Sequence, residues 1–186
     1  CMGGITERLH GYRAVYLTTI KAARLSWSKL ETSTHEEFFM YERILVATDG
    51  STLSKKAVNS AIAMAALTGG ELVALKVVPR YPQSYFEGGL ALQVSEVARV
   101  EKQWAEDGQA VVDAVKKAAL AKGVTTKAVT VKSDIVSEAI ISAAKKHKCD
   151  LIVMASHGRR GIKRLLLGSE TQHVLTHSHV PVLVLR

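Results

Sequence analysis

Residues 150–171 read DLIVMASHGRRGIKRLLLGSET and hold the residue types that could do phosphate chemistry. Gly158 and Gly161 flank the pair Arg159-Arg160, and Gly168-Ser169-Glu170-Thr171 then opens a helical pattern. Glycine lets backbone approach a ligand closely, and a helix N-terminus offers N–H groups with no acceptor of their own. Arginine adds charge on a planar donor set that suits phosphate oxygens. The competing reading is that these glycines only shape tight turns.

A second candidate lies near the start of the regular pattern, at Asp49-Gly50-Ser51. Asp49 could hold a magnesium ion or a water, which would allow slow hydrolysis of a bound phosphate compound. Its plainer role is to bond nearby backbone and shape the turn. No GxxxxGK[ST] loop and no metal cluster with an obvious base accompany it, so hydrolysis is not the leading reading. His173 and His177 stand four apart on a helical pattern with His179 close by, but no further ligand has zinc-like spacing. No metal site is expected there.

These residues need elements to position them. Arg43–Thr48, Leu72–Val78, Thr125–Val131, Leu151–Ala155 and Val180–Leu185 read as short apolar or β-branched strands. Between them lie helical patterns, each with one apolar face. The first uses Ala57, Val58, Ala61, Ile62 and Ala65, with Ser51 as its cap and Gly69-Gly70 as its stop. The second places Val97, Val100, Trp104, Val111, Val115 and Ala118 on one stripe, weakened at Gly108. The third is started by Ser133 and Asp134 and buries Ile135, Val136, Ala139, Ile140, Ala143 and Ala144. The last spans Glu170 to about Thr176.

Strands alternating with helices imply an α/β fold, a doubly wound parallel sheet of five strands with helices on both faces. Such sheets bind ligands beyond the carboxyl ends of the strands, where the strand order reverses. The loops after strands one and four meet that description, so the glycine argument and the topology argument converge.

The chain has 186 residues and a formal net charge of +8. Aromatic residues make up only 5% and none alternates with basic residues, so the charge reads as a lysine-coated surface and no nucleic-acid partner is expected. No uncharged apolar run approaches the ~18 residues of a membrane helix, and no membrane partner is expected. The two cysteines, Cys1 and Cys149, have neither disulfide-framework nor zinc spacing, which suits a reducing compartment and a cytoplasmic location. Residues 1–39 lack a clear period and are expected to form a poorly ordered extension, or to follow from an upstream start, outside a domain of residues 40–186. The irregular segment Pro79–Gly89 could fold over the cleft as a lid.

From ILVATDGS to PVLVLR, residues 40–186 resemble a universal stress protein domain. The family's nucleotide-binding motif is Gly, two residues, Gly, nine residues, then Gly followed by Ser or Thr. Gly158, the nine residues 159–167, Gly168 and Ser169 fit it, and Ala155 stands where the first glycine would be. The resemblance implies strand order 3-2-1-4-5, a homodimer joined near the last strand, and ATP or another adenine nucleotide, with or without magnesium. It also implies roles. Ala47, Thr48 and Asp49 would lie at the adenine and ribose end, with the backbone of Val77 bonding the base. Met154 and Ala155 would border the ribose, and His157 and Arg159 would line the loop. Gly158, Gly168, Ser169, Glu170 and Thr171 would hold phosphates. The leading expectation is an adenine-nucleotide-binding regulatory module of the stress response. The alternatives are a nucleotide-independent dimeric interaction module and a slow ATP hydrolase.

Overall fold

The chain divides after Phe38, and the residues described by the structure, a computed structural model, all lie in the second unit, Phe39–Arg186. They are residues 41–81, 94–158 and 167–186. The expectations for residues 1–39, for a lid formed beyond Tyr81, and for Arg159 lie outside the described residues.

Five strands form one parallel sheet. They are β1 (Arg43–Ala47), β2 (Glu71–Val78), β3 (Thr126–Lys132), β4 (Leu151–Ala155) and β5 (Val182–Leu185), in the order β3-β2-β1-β4-β5. The helices between them are α1 (Thr52–Thr68), α2 (Val94–Leu120), α3 (Val136–Lys146) and α4 (Ser169–His177). The expected fold class and strand order are therefore what the chain adopts. Alternate residues of the central strands serve two cores. Ile44, Val46, Leu72, Ala74 and Val153 pack with α1 and α2. Leu45, Val73, Leu75, Ile152 and Met154 pack with α3 and α4. Ile44, Leu45 and Ile152 are 0% exposed, and each such side chain contributes about 1.5–3 kcal/mol by leaving water. That double coverage is why these strands read as continuous apolar runs.

The ends of α1 follow the sequence signals. The Ser51 hydroxyl accepts from the Ser54 N–H at 3.2 Å, and Gly69 takes the left-handed conformation (φ 71°) that lets the next N–H, that of Gly70, reach the Ala65 carbonyl at 3.1 Å.

In α2 the structure departs from expectation. The buried stripe is Gly108, Val112, Val115 and Ala119, and Ala118 faces solvent. Trp104, expected in the core, is half-buried and stacks on Tyr81 with ring centroids 6.2 Å apart. Nearby, the Glu101 carboxylate accepts from the Tyr81 N–H (3.0 Å) and from Lys132 Nζ (3.1 Å), and both hold it below the usual carboxylate range. Gly108 is more than a weak helix position: a Cβ there would stand 2.5 Å from Val78 Cγ1.

α3 also begins differently. Ile135 is the N-cap residue, offers no side-chain bond and is 50% exposed, so it does not join the buried face. The Ser133 hydroxyl accepts from the Ile135 N–H, and Asp134 accepts from the Arg80 N–H, so neither caps the helix. At the other end Lys148 has φ 52°, a left-handed position normally taken by glycine. Holding a lysine there costs about 1 kcal/mol or more. Cys149 follows and is buried, and burial pushes its thiol up to about 11. It is therefore inert as a nucleophile at neutral pH.

Candidate functional site

Between β1 and β4 the chain leaves the sheet in opposite directions, toward β2 from one strand and toward β5 from the other. A crevice at the carboxyl ends is the geometric consequence. The ladder between β1 and β2 ends where the Thr48 N–H donates to the Leu75 carbonyl at 3.0 Å. In a parallel ladder alternate residues face the same neighbour, so the next β2 backbone groups on that side belong to Val77. β1 has turned away by then, which leaves Val77 at the rim of the crevice.

The turn after β1 is held by its own side chains. Thr48 is buried, and its hydroxyl lies 3.0 Å from Ser54 Oγ and accepts from the Gly50 N–H. Asp49 Oδ1 accepts from the Ser51 N–H at 2.9 Å, the plainer role expected for it. Ala47 is half-buried below this turn. Lys76 Nζ donates to the Asp49 carbonyl at 3.3 Å and ties the turn to β2. Sequence reasoning missed Lys76. Its signal was a single charge near the carboxyl end of an otherwise apolar strand.

The segment after β4 meets that turn. A Cβ on Gly158 would stand 3.0 Å from Asp49 Oδ2, so the absence of a side chain at 158 sets the approach of the two loops. Gly168 donates its N–H to the Ser156 carbonyl at 2.9 Å, and a Cβ there would lie 3.3 Å from that oxygen and 3.4 Å from His157 Cα. The second and third motif glycines are thus both at close approaches. His157 Nδ1 lies 3.1 Å from Ser156 Oγ. Met154 and Ala155 are buried. Strand alternation puts Ala155 on the face of Leu151 and Val153, toward α1, and Met154 on the opposite face.

Gly168 is the N-cap of α4 and supplies no side-chain cap. The N–H groups of Ser169, Glu170 and Thr171 therefore head the helix without intrahelical acceptors. The side chains of two of these residues are engaged elsewhere. The Thr171 hydroxyl donates to the Ala155 carbonyl at 3.1 Å, pinning α4 to the end of β4. The Glu170 carboxylate accepts from the Ser137 N–H at 2.7 Å, at the start of α3. Glu170 thus provides the cap that α3 lacks locally. What these two residues can offer a ligand is backbone N–H, with Ser169 exposed beside them.

The imidazoles of His173 and His177 stack at 4.0 Å, and no group of three or more potential metal ligands occurs among the described residues. No helix among them is long and apolar enough to cross a membrane.

Comparison with known proteins agrees with this architecture. Residues 40–186 match the profile described as the universal stress protein family. A universal stress protein of Methanocaldococcus jannaschii is 35% identical over 149 residues, which cover 79% of this chain and 83% of that one. The structure of universal stress protein UspA from Lactobacillus plantarum superposes with a TM-score of 0.67 at 25% identity, covering 78% of this chain and 98% of that one. A universal stress protein crystallised in complex with cAMP has a TM-score of 0.58 at 26% identity, covering 78% and 97%. A doubly wound sheet with two loops meeting at its switch point defines the class, and this chain belongs to the universal stress protein family.

Proposed function

We propose that the crevice binds an adenine nucleotide, ATP in particular, and that the protein is a nucleotide-dependent regulatory module of the stress response. The observation that carries this reading is the contact of Gly158 with Asp49 and of Gly168 with the Ser156-His157 turn. In this reading those close approaches bring the N-terminus of α4 toward the rim formed by Val77 and Asp49. The cAMP complex of a relative supports the adenine assignment. In this reading the backbone of Val77 bonds the base, and Ala47, Thr48 and Asp49 lie beside adenine and ribose. Met154, Ala155 and His157 border the sugar. Gly158, Arg159, Gly168, Ser169, Glu170 and Thr171 meet the phosphates, the last three through backbone N–H groups and the Ser169 hydroxyl. Ala155 is compatible because alternation directs its methyl toward α1.

Calorimetric titration with ATP and magnesium tests this, after mass spectrometry for co-purified nucleotide. Binding at micromolar affinity or tighter is expected. No heat and no bound nucleotide would refute the proposal.

A second part of the proposal is homodimerisation through β5. This edge strand carries Val182, Leu183, Val184 and Leu185, all only half-buried in the single chain. An apolar edge is a hazard unless paired, and a second copy would cover it. Sedimentation at micromolar concentration should give a dimer, and a monomer would remove this part of the reading.

A further inference from the structure

The opposite end of the sheet carries a second concavity that the nucleotide reading does not use. It has a volume of about 810 Å³ and lies where the strands begin, bounded by the starts of β1, β2 and β3 and by the C-terminal parts of α2 and α3. Arg43, Lys116, Lys127, Lys146, His147 and Lys148 contribute to its wall, against the carboxylates of Glu71 and Asp113. With His147 neutral, this is a formal excess of three positive charges. Glu71 is already paired with Arg43 at 3.0 Å, and Asp113 accepts from Gln109 Nε2. None of the four lysines has a carboxylate partner among the described residues.

Two further observations separate this wall from an ordinary lysine-coated surface. Lys146 and Lys148 stand at the carboxyl end of α3, where a cation suits the helix dipole, but Lys127 lies on a strand, where no dipole asks for one. Lys148 also occupies a left-handed position that glycine would fill without strain. Such an outlier points to a requirement for the side chain itself. His147, half-buried in the same wall, is held below the usual histidine range, by burial first and then by Lys127, Lys146 and Arg43. Lys127, Lys146 and Arg43 thus all bear on the part of the wall where His147 sits.

We infer that this concavity is an anion site for a small ligand bearing two or more phosphate groups, distinct from the crevice at the carboxyl ends. Its size falls in the ~300–1,000 Å³ range of small-molecule sites. Among the described residues the wall has no Phe, Tyr or Trp to stack a base, so recognition is by charge, and an inorganic oligophosphate or the phosphorylated end of a metabolite shares the needed chemistry. The inference does not depend on ATP binding at the other end.

The test uses the full chain and tripolyphosphate, read by NMR at the His147 ring. Bound polyanion favours the imidazolium, so the His147 titration midpoint should rise on adding tripolyphosphate. The triple variant Lys127→Gln, Lys146→Gln, Lys148→Gln should weaken that response at least tenfold. Lys148→Gly should weaken it too while raising the unfolding temperature, a split that a purely structural lysine would not produce. A Gly168→Val protein should respond like the wild type, which keeps this outcome separate from the fate of the nucleotide proposal. Glucose 6-phosphate, with one phosphate, should bind more weakly than pyrophosphate. An unmoved His147, or a triple variant that responds like the wild type, would overturn the inference. A single-stranded oligonucleotide acting at tenfold lower concentration than tripolyphosphate would also overturn it, in favour of a nucleic-acid face.

Discussion

Replacing Gly168 with valine is expected to lower ATP affinity by roughly 10- to 150-fold, the loss of about 1.5–3 kcal/mol that one charge-assisted hydrogen bond supplies. Glycine at that position keeps the space in front of α4 open. Its backbone, φ −62° and ψ 146°, is one that valine adopts readily, so no conformational strain follows. Nor is a side-chain cap lost, since Gly168 provides none. What changes is the space in front of the helix. The added Cβ would press on the Ser156 carbonyl and His157 Cα at 3.3 and 3.4 Å, and the valine methyls would stand at the mouth of the three uncapped N–H groups. Stability should therefore change by no more than about 1 kcal/mol, because the contacts ask for shifts of only a few tenths of an ångström. Titration with ATP alongside urea unfolding of the same preparation separates the two effects. A folded variant with unchanged affinity would show that phosphates do not sit at the α4 N-terminus.

How much of this was legible in the sequence depends on the range of the interaction. The strands were readable because burial on both faces writes continuous apolar runs, and β2 and β4 show this from Leu72 and Leu151 onward. The convergence of the two loops was readable because topology fixes which strand ends are neighbours. In α2 the face was misjudged by one residue, since Ala118 and Ala119 are adjacent and equally apolar, and composition cannot choose between them. The packing of Gly108 against β2 makes that choice. Ile135 was placed in the core on apolarity alone, although a cap residue lies half outside its helix. Glu170 was assigned to phosphate through its backbone, which left its carboxylate without a role. That carboxylate serves the Ser137 N–H 33 residues away, a partner no local pattern reveals. Lys76 was missed for the same reason, because its partner is a carbonyl on a different loop.

Gly108 gives the other large effect, and opposing magnitudes decide its sign. Exchanging an interior helix glycine for alanine should stabilise by up to about 1 kcal/mol through backbone entropy. Here the new methyl would stand 2.5 Å from Val78 Cγ1, a distance that real contacts do not reach. Val78 is 2% exposed within β2, so it can yield only by moving strand or helix. Overpacking of this kind costs about 1–3 kcal/mol, so alanine should be net destabilising and leucine should lose about 3 kcal/mol. Urea unfolding measures both. In a Val78→Ala background the penalty at 108 should vanish, giving a coupling of about 1 kcal/mol or more in a double-mutant cycle. A stabilised Gly108→Ala protein would mean that this glycine does not set the spacing of α2 from the sheet. The consequence reaches the crevice as well. The same Cβ would lie 3.5 Å from Lys76 Cγ, and Lys76 holds the Asp49 turn through its carbonyl. Relief by a shift of β2 would carry Lys76 with the strand, so Gly108→Ala should weaken ATP binding together with stability. Loss of stability with full affinity would show that the turn after β1 holds its shape without Lys76.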